Sequence, residues 1–243
     1  MTLTYLDFLA VFLGPPIVVL AALVWRDGCR LGRGHCVALG LGLVTFIGLV
    51  YTTPWDNALI GRGVWWYGDG AVRATVWLAP VEEYLFMLLQ PVLSGLWLAR
   101  LSRPAVPAAS TWRTGMSLRD RGSGVLAGAL VTAVGLGFLT AEPTFYLGAI
   151  LAWAGPVFAL QWGFGWRHLW EQRRPLTLGV GIPTLYLAAS DRVAIDLGIW
   201  SLSPTYTTGV TVGGLPVEEG LFFLVTNMFV VQGLLLFLWV VDR

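Results

Sequence analysis

One pattern of residues occurs twice in this chain, and this repetition constrains the fold more than any other feature. The first copy consists of Tyr51, Asp56, Gly63 and Trp65, followed by Pro-Val-Glu-Glu at residues 80–83. The second copy consists of Tyr186, Asp191, Gly198 and Trp200, followed by Pro-Val-Glu-Glu at residues 216–219. The spacing from Tyr to Trp is the same in both copies. Such self-similarity predicts a duplicated structural unit.

Long apolar stretches place the duplicated pattern in a membrane protein. Hydrophobic residues make up 56% of the chain, charged residues only 12%, and the mean hydropathy is +0.72. Polar residues divide the chain into about seven runs, each close to the ~20 residues that cross a bilayer. The predicted spans are residues 5–25, 36–52, 76–98, 124–140, 145–162, 176–190 and 215–241. The net charge of +1 provides no basic surface for nucleic acid.

Arginine residues predict how these spans are oriented. The chain has fifteen basic residues, all of them arginine. Twelve follow spans one, three, five and seven, whereas Arg62, Arg73 and Arg192 lie at the opposite ends of the spans. Basic residues are enriched on the cytoplasmic side of membrane proteins. The pattern therefore predicts a multi-pass protein of the cell membrane, with its N-terminus outside and its C-terminus in the cytoplasm.

The predicted fold class is an all-α integral membrane protein with about seven transmembrane helices. Spans one to three form one repeat, spans five to seven form the other, and span four links them. Three spans plus one return the chain to its starting side, so the repeats are parallel and related by an axis along the membrane normal. The predicted division is residues 1–100 for the first repeat, 101–142 for a cytoplasmic linker and the linking helix, and 143–243 for the second repeat.

Each repeat carries two adjacent carboxylates at the same predicted depth. They are Glu82, Glu83, Glu218 and Glu219. Carboxylates are costly in hydrocarbon and usually functional there. Consecutive helical residues point about 100° apart, so one Glu of each pair is expected to face a cavity and the other to cap the helix or form a hydrogen bond. A simpler interpretation also fits a single copy, because Pro and Glu are favoured in the first turn of any helix.

Further polar and aromatic residues are candidates for the same cavity. They are Trp65, Trp66, Trp200, Asp56, Asp191, Tyr51, Tyr186, Gln90 and Thr226. Gln90 and Thr226 each follow the second Glu of a pair by seven residues and therefore share its helix face. Structural alternatives exist for all of them. Trp and Tyr gather at membrane interfaces, Gln and Thr join helices, and the aspartates can cap a helix or pair with Arg62 and Arg192.

Paired acids and aromatic rings inside a membrane suit proton-initiated chemistry on an apolar substrate. A buried carboxyl group retains its proton and can act as a general acid. A second, ionised carboxylate can accept a proton, and aromatic faces attract a cation in a dry site. The expected substrate is a long polyene or isoprenoid dissolved in the bilayer.

The two Pro-Val-Glu-Glu segments, each preceded by Asp-x6-Gly-x-Trp, resemble the membrane-integral lycopene cyclase domain family in its fused form. The resemblance covers nearly the whole chain. It implies cyclisation of the ψ ends of lycopene to β-ionone rings through a carbocation, giving γ-carotene and then β-carotene, with the acid among Glu82, Glu83, Glu218 and Glu219. The implied reaction is an isomerisation without net redox change, so no cofactor is expected. The implied partners are lycopene and the surrounding membrane lipid.

Other functions differ in how well the sequence suits them. A seven-helix retinal protein needs a Lys for its Schiff base, and the chain has none. An intramembrane protease of the Glu-Glu-x3-Arg type fails because no Arg follows Glu83 at that spacing. A proton-coupled transporter remains an alternative, since parallel repeats with buried acids also suit transport. A cyclase that makes ε or γ ends on a C50 carotenoid is a second alternative.

Cys29 and Cys36 lack metal-ligand spacing, so no metal is predicted. The oligomeric state is also left open.

Overall fold

The computed structural model of the chain describes residues 3–31, 34–101 and 116–241. The helices are α1 (Tyr5–Phe12), α2 (Gly14–Asp27), α3 (Gly34–Arg62), α4 (Val81–Arg100), α5 (Leu118–Phe138), a 3-10 turn (Glu142–Thr144), α6 (Phe145–Glu171), α7 (Arg173–Asp196) and α8 (Val217–Val241). The strands are β1 (Trp65–Tyr67), β2 (Thr75–Val76), β3 (Ala79–Pro80), β4 (Trp200–Leu202), β5 (Thr211–Val212) and β6 (Leu215–Pro216). Most of the predicted cytoplasmic linker, residues 102–115, lies outside the described residues.

The predicted all-α membrane class is confirmed. Within the described residues, five helical segments are long and apolar enough to cross a membrane, with α1 and α2 together forming one of them. Helices α4 and α7 contain 20 and 24 residues but carry more polar side chains. Helix α4 packs in the interior of the bundle, where it contacts α2, α3, α7 and α8, whereas α7 keeps an exposed face that includes Leu178, Ile182 and Leu185. Glu82 and Gln90 of α4 and Asp191 of α7 are buried, so neighbouring helices shield these polar side chains from lipid.

Several predicted span boundaries are wrong, and the helix ends explain why. The first predicted span agrees with one apolar segment, Tyr5–Asp27, but it consists of two helices, because Pro15 and Pro16 have no N–H to continue the hydrogen bonding of α1. The second and sixth spans run on to Arg62 and Asp196, past the predicted ends at residues 52 and 190. Helix α4 starts only at Val81, because the preceding residues form a β-hairpin.

Backbone contacts recur at matching positions of α1–α4 (the first unit) and α6–α8 (the second unit). Helices α3 and α7 both end in a Schellman motif whose Gly has positive φ, 75° at Gly63 and 70° at Gly198. Val64 N donates to Leu59 O, and the matching bond of the second unit joins Ile199 N to Ala194 O. Glycine takes this left-handed conformation without steric strain. The repeated Gly of the sequence pattern therefore ends a helix.

The two units meet at an antiparallel strand pair. Strand β1 of the first unit pairs with β4 of the second, with Trp66 opposite Ser201. These two residues occupy matching positions of the two repeats, so equivalent strands pair with each other, as a two-fold relation requires. Two hairpins, β2–β3 and β5–β6, lead into α4 and α8.

Helix α5 packs closely along α6 through small residues. A Cβ atom added at Gly124, Gly128 or Gly135 would meet backbone atoms of α6, and one added at Gly155 would meet Thr132 of α5. Small residues at such spacing allow two membrane helices to approach backbone to backbone. Helix α5 is thus fixed to one side of the second unit.

Candidate active site

A pocket lies between the two units, beneath the β1–β4 strand pair. Its non-atom volume is about 650 Å³, part of which is open to the surroundings. Four carboxyl groups line it, those of Asp56, Glu83, Asp191 and Glu219. The rest of the wall is mostly aromatic or aliphatic and consists of Tyr5, Phe8, Leu13, Trp55, Trp65, Tyr67, Phe86, Tyr146, Leu187, Ser190, Trp200, Leu202, Phe222 and Phe223.

The strand pair supplies one side of this wall through the two-residue alternation of β-strands. Trp65 and Tyr67 of β1 line the pocket, as do Trp200 and Leu202 of β4. Side chains of a strand point alternately to its two faces. Trp66, which lies between the two inward residues of β1, is 49% exposed and is not part of the pocket wall.

The two glutamates of each pair occupy different environments. Glu83 and Glu219 line the pocket, whereas Glu82 and Glu218 are buried beside the loops that precede α4 and α8. Glu82 Oε1 accepts a hydrogen bond from Arg73 N at 3.0 Å. Glu218 Oε1 accepts hydrogen bonds from the backbone N–H and hydroxyl group of Thr208, both at 2.7 Å. The first Glu of each pair therefore fastens a loop, and the second faces the pocket.

In the first unit, hydroxyl groups converge on Glu83. Its Oε2 accepts hydrogen bonds from the phenols of Tyr5 at 2.9 Å and Tyr67 at 3.0 Å. The indole N–H of Trp65 donates in turn to the oxygen of Tyr67 at 3.1 Å. Asp56 is 3% exposed and interacts electrostatically with Glu83. Its Oδ2 has no hydrogen-bond partner among the described residues.

In the second unit, two carboxyl groups lie side by side. Asp191 and Glu219 are within hydrogen-bonding reach of each other, and Tyr146 interacts with the Glu219 carboxyl group. The indole N–H of Trp200 donates directly to Asp191 Oδ1 at 3.0 Å. Asp191 is 3% exposed and Glu219 is 8% exposed. This half of the pocket thus contains a buried acid pair.

No arginine or histidine of the described residues lines the pocket. The interpretation that Asp56 and Asp191 pair with Arg62 and Arg192 is wrong. Arg62 lies over the ring of Phe145, 4.0 Å from its centroid, and Arg192 forms an ion pair with Asp196. Without a nearby cation, four carboxyl groups at such close quarters cannot all be ionised, because like charges disfavour each other in a buried site.

The repeated tyrosines join the two units outside the pocket wall. Tyr51 of α3 donates its hydroxyl hydrogen to Trp153 O of α6 at 2.8 Å. Tyr186 of α7 donates to Phe12 O of α1 at 2.6 Å. Both bonds run from one unit to the first helix of the other, and both tyrosines are 38% exposed. Their place in the structure is that of inter-unit contacts.

Gln90 and Thr226 also lie outside the pocket wall. Gln90 Nε2 donates to Asn227 Oδ1 at 2.8 Å, and this buried bond joins α4 to α8. The hydroxyl group of Thr226 donates to Phe222 O at 2.9 Å within its own helix. Gln90 therefore bonds to Asn227 on α8, and not to the neighbouring Thr226.

The sequence patterns described above do not predict several pocket residues, including Tyr5, Tyr67 and Tyr146. A signal for two of them was present. Tyr5-Leu6 is followed by Gly-Pro at residues 14–15, and Tyr146-Leu147 by Gly-Pro at residues 155–156, with the same nine-residue interval. Extending the repeat upstream would have matched the two tyrosines. Tyr67 has no such signal, because the second repeat has Leu202 at that position.

Comparison with known proteins identifies the family. The chain is 51% identical over 243 residues to a protein of Halobacterium salinarum named lycopene beta-cyclase, and the alignment covers 100% of this chain and 99% of that protein. It is 31% identical over 243 residues to a bifunctional lycopene cyclase/phytoene synthase of Sporisorium reilianum, covering 95% of this chain and 34% of that protein. No family model and no solved structure matches the chain. The chain belongs to the lycopene cyclase family.

Proposed function

We propose that this protein is a lycopene β-cyclase that converts the ψ ends of lycopene into β-ionone rings, giving γ-carotene and then β-carotene. The observation that carries this proposal is the pocket itself. It combines four carboxyl groups with a largely aromatic wall in the interior of a membrane protein. The relative named lycopene beta-cyclase, at 51% identity over the full chain, supports the same activity.

The proposed reaction needs one acid and one base. A protonated carboxyl group gives its proton to the terminal double bond of the ψ end, which forms a tertiary cation. The neighbouring double bond attacks this cation and closes a six-membered ring. A carboxylate then removes a ring proton and leaves the β-ionone double bond. One proton enters and one leaves, so the product is an isomer of the substrate. Glu83, Glu219, Asp56 and Asp191 are the candidates for these roles.

The aromatic wall is suited to the cationic intermediate. The indole of Trp55 stacks near Trp153 at 4.7 Å between ring centroids and near Phe222 at 5.9 Å. Trp65 and Trp200 enclose the pocket from the strand pair above. Aromatic faces attract cations, and the attraction grows when water is excluded. The wall would thus stabilise the charge without offering a nucleophile.

The polyene beyond the reacting end needs an apolar path. A groove on the side of the bundle shares Trp55 with the pocket, and its lining is Phe46, Ile47, Val50, Tyr51, Pro54, Trp55 and Trp153. Phe46 and Val50 are more than half exposed, which suits a surface that faces lipid. We propose that the remainder of lycopene lies in this groove, and that the molecule turns round before its second end reacts.

The same proposal covers topology and architecture. The protein lies in the cell membrane among its lipids, with the N-terminus outside and the C-terminus in the cytoplasm, as the arginine distribution predicts. Residues 1–100 and 143–243 form the two parallel repeats, and residues 101–142 connect them. In this orientation the pocket lies near the outer side of the membrane.

Expression of the chain in a bacterium that accumulates lycopene tests the proposed function. We expect chromatography to show loss of lycopene and the appearance of carotenoids with one and then two β ends. A Glu219→Gln variant should leave lycopene unchanged. Glu142→Gln is the matched control, because Glu142 is exposed and does not line the pocket. Unchanged lycopene with the unmodified protein present in the membrane would overturn the proposal.

A further inference from the structure

The two halves of the pocket differ at one pair of matching positions. Tyr67 follows Trp65 by two residues, and Leu202 follows Trp200 by two residues. Both side chains line the pocket from paired strands. The first unit therefore has a phenol where the second has a hydrocarbon side chain, and the hydrogen bonds around the carboxyl groups differ as a result.

In the first unit, the phenol directs hydrogen bonds toward Glu83. Tyr67 has one hydroxyl hydrogen, which it donates to Glu83 Oε2, and its oxygen accepts the N–H of Trp65. Tyr5 donates to the same Oε2. Burial and the neighbouring carboxylates raise the pKa of Tyr67 well above its usual value, so the phenol keeps its hydrogen. Two donors on one carboxyl oxygen favour the ionised carboxylate, which is the form that accepts a proton.

In the second unit, no phenol stands between the indole and the carboxyl group. The N–H of Trp200 donates directly to Asp191 Oδ1, and Asp191 lies within hydrogen-bonding reach of Glu219. Two carboxyl groups can form a hydrogen bond only when one of them carries a proton. Asp191 Oδ2 has no hydrogen-bond partner within the part of the chain that the structure describes. This pair is therefore suited to hold a proton that it can give away.

We infer that the Asp191–Glu219 pair supplies the proton that starts ring closure, that Glu83 removes the ring proton, and that Tyr67 is the positioning residue that separates the two roles. This inference rests on the proposed function. The acid's O–H bond breaks and a C–H bond forms at the terminal double bond. Ring closure uses the π electrons of the neighbouring double bond to form one C–C bond, and the positive charge moves to a ring carbon. A ring C–H bond then breaks, its electron pair completes the ring double bond, and the proton passes to Glu83. Return of that proton across the pocket to Glu219 restores the starting state.

The ratio of β, ε and γ ends distinguishes the two roles, because the base selects which proton leaves and the acid does not. We expect Tyr67→Phe to lower the number of cyclised ends per protein about tenfold, the effect of losing one hydrogen bond to a charged group. We also expect it to lower the share of β ends. Tyr5→Phe removes the other donor to the same oxygen and should change the ratio in the same direction. Asp191→Asn should lower turnover and leave the ratio unchanged.

Tyr84→Phe is the matched control, because the Tyr84 phenol donates to Val76 O outside the pocket wall. Membrane levels of every variant are measured beside the carotenoids, and Tyr5→Phe carries the test if Tyr67→Phe does not accumulate. An unchanged ratio in both tyrosine variants would overturn the inference, as would a changed ratio in Asp191→Asn. Absence of any cyclised product from the unmodified protein would instead overturn the proposed function, so the two failures are distinguishable.

Discussion

The first and second units share their structural contacts but differ at some positions in the pocket. Both have a Schellman turn at the repeated Gly, a first Glu that fastens a loop, and a Tyr that bonds to the other unit. In the pocket, however, Trp55 corresponds to Ser190 and Tyr67 to Leu202. The contacts that hold the backbone occur in both units, whereas these two pocket positions carry different residues in the two units.

The reason for this difference lies in the position of the pocket. Each loop and helix end belongs to one unit, so its contacts are needed twice. The pocket lies at the junction and receives Asp56 and Glu83 from one side and Asp191 and Glu219 from the other. A single reaction that needs both an acid and a base has no use for two identical halves. On the proposed mechanism, the two units would therefore form one site with unequal halves.

The largest expected effect comes from removing either pocket glutamate. Glu83→Gln and Glu219→Gln should each lower lycopene cyclisation by about a hundredfold or more, the usual effect of losing a general acid or base. Two independent sites would instead keep about half of the activity in each variant. Counting cyclised ends per membrane protein after a fixed time separates these outcomes.

Glu82→Gln and Glu218→Gln are matched controls within the same motif. The amide oxygen of Gln can still accept the hydrogen bonds from Arg73 N and Thr208 N, so activity should stay within a few-fold of the unmodified protein. If these variants lost as much activity as the pocket variants, the division between the first and second Glu would be wrong.

A smaller effect is expected at the tryptophans of the strand pair. Trp65→Ala should lower cyclisation about tenfold if the ring stabilises a cation, and Trp65→Phe should be milder because it keeps an aromatic face. The same pair of substitutions at Trp200 provides the comparison across units. Equal losses from Phe and Ala would indicate that the ring only fills space. Product chromatography with quantified membrane protein is the measurement.

The sequence predicts the helical class and the acidic motifs because both follow from local patterns. Hydropathy runs of about twenty residues indicate spans. The helical positions of Asp56 and Asp191 do not follow from these runs, because the predicted spans end at residues 52 and 190. Both aspartates instead lie within helices and face the pocket between the units. Burial of this kind depends on partners distant in the chain and is invisible to a local pattern.

Repetition of a residue at matching positions does not by itself predict that the residue lines the pocket. Tyr51 and Tyr186 repeat with the same spacing as the pocket residues, yet they form contacts between units. Tyr67 does not repeat and borders Glu83. A repeated residue can be needed at a helix end or at an interface as well as in the pocket. A pattern of repeated residues cannot predict a position at which the two copies differ.

The smallest expected effect concerns the tyrosines between the units, and it differs between the two. Tyr51→Phe and Tyr186→Phe each remove one hydrogen bond, worth about 1 kcal/mol of unfolding free energy. In Tyr186→Phe, the carbonyl oxygen of Phe12 loses its side-chain donor. No helical N–H can replace this donor, because the residue four positions later is Pro16, which has no N–H. Val157 stands four residues after Trp153 and has an N–H to donate. Tyr186→Phe should therefore lower the thermal unfolding midpoint in detergent more than Tyr51→Phe, with the β-end ratio unchanged in both. Equal shifts would show that the proline does not control the strength of this contact.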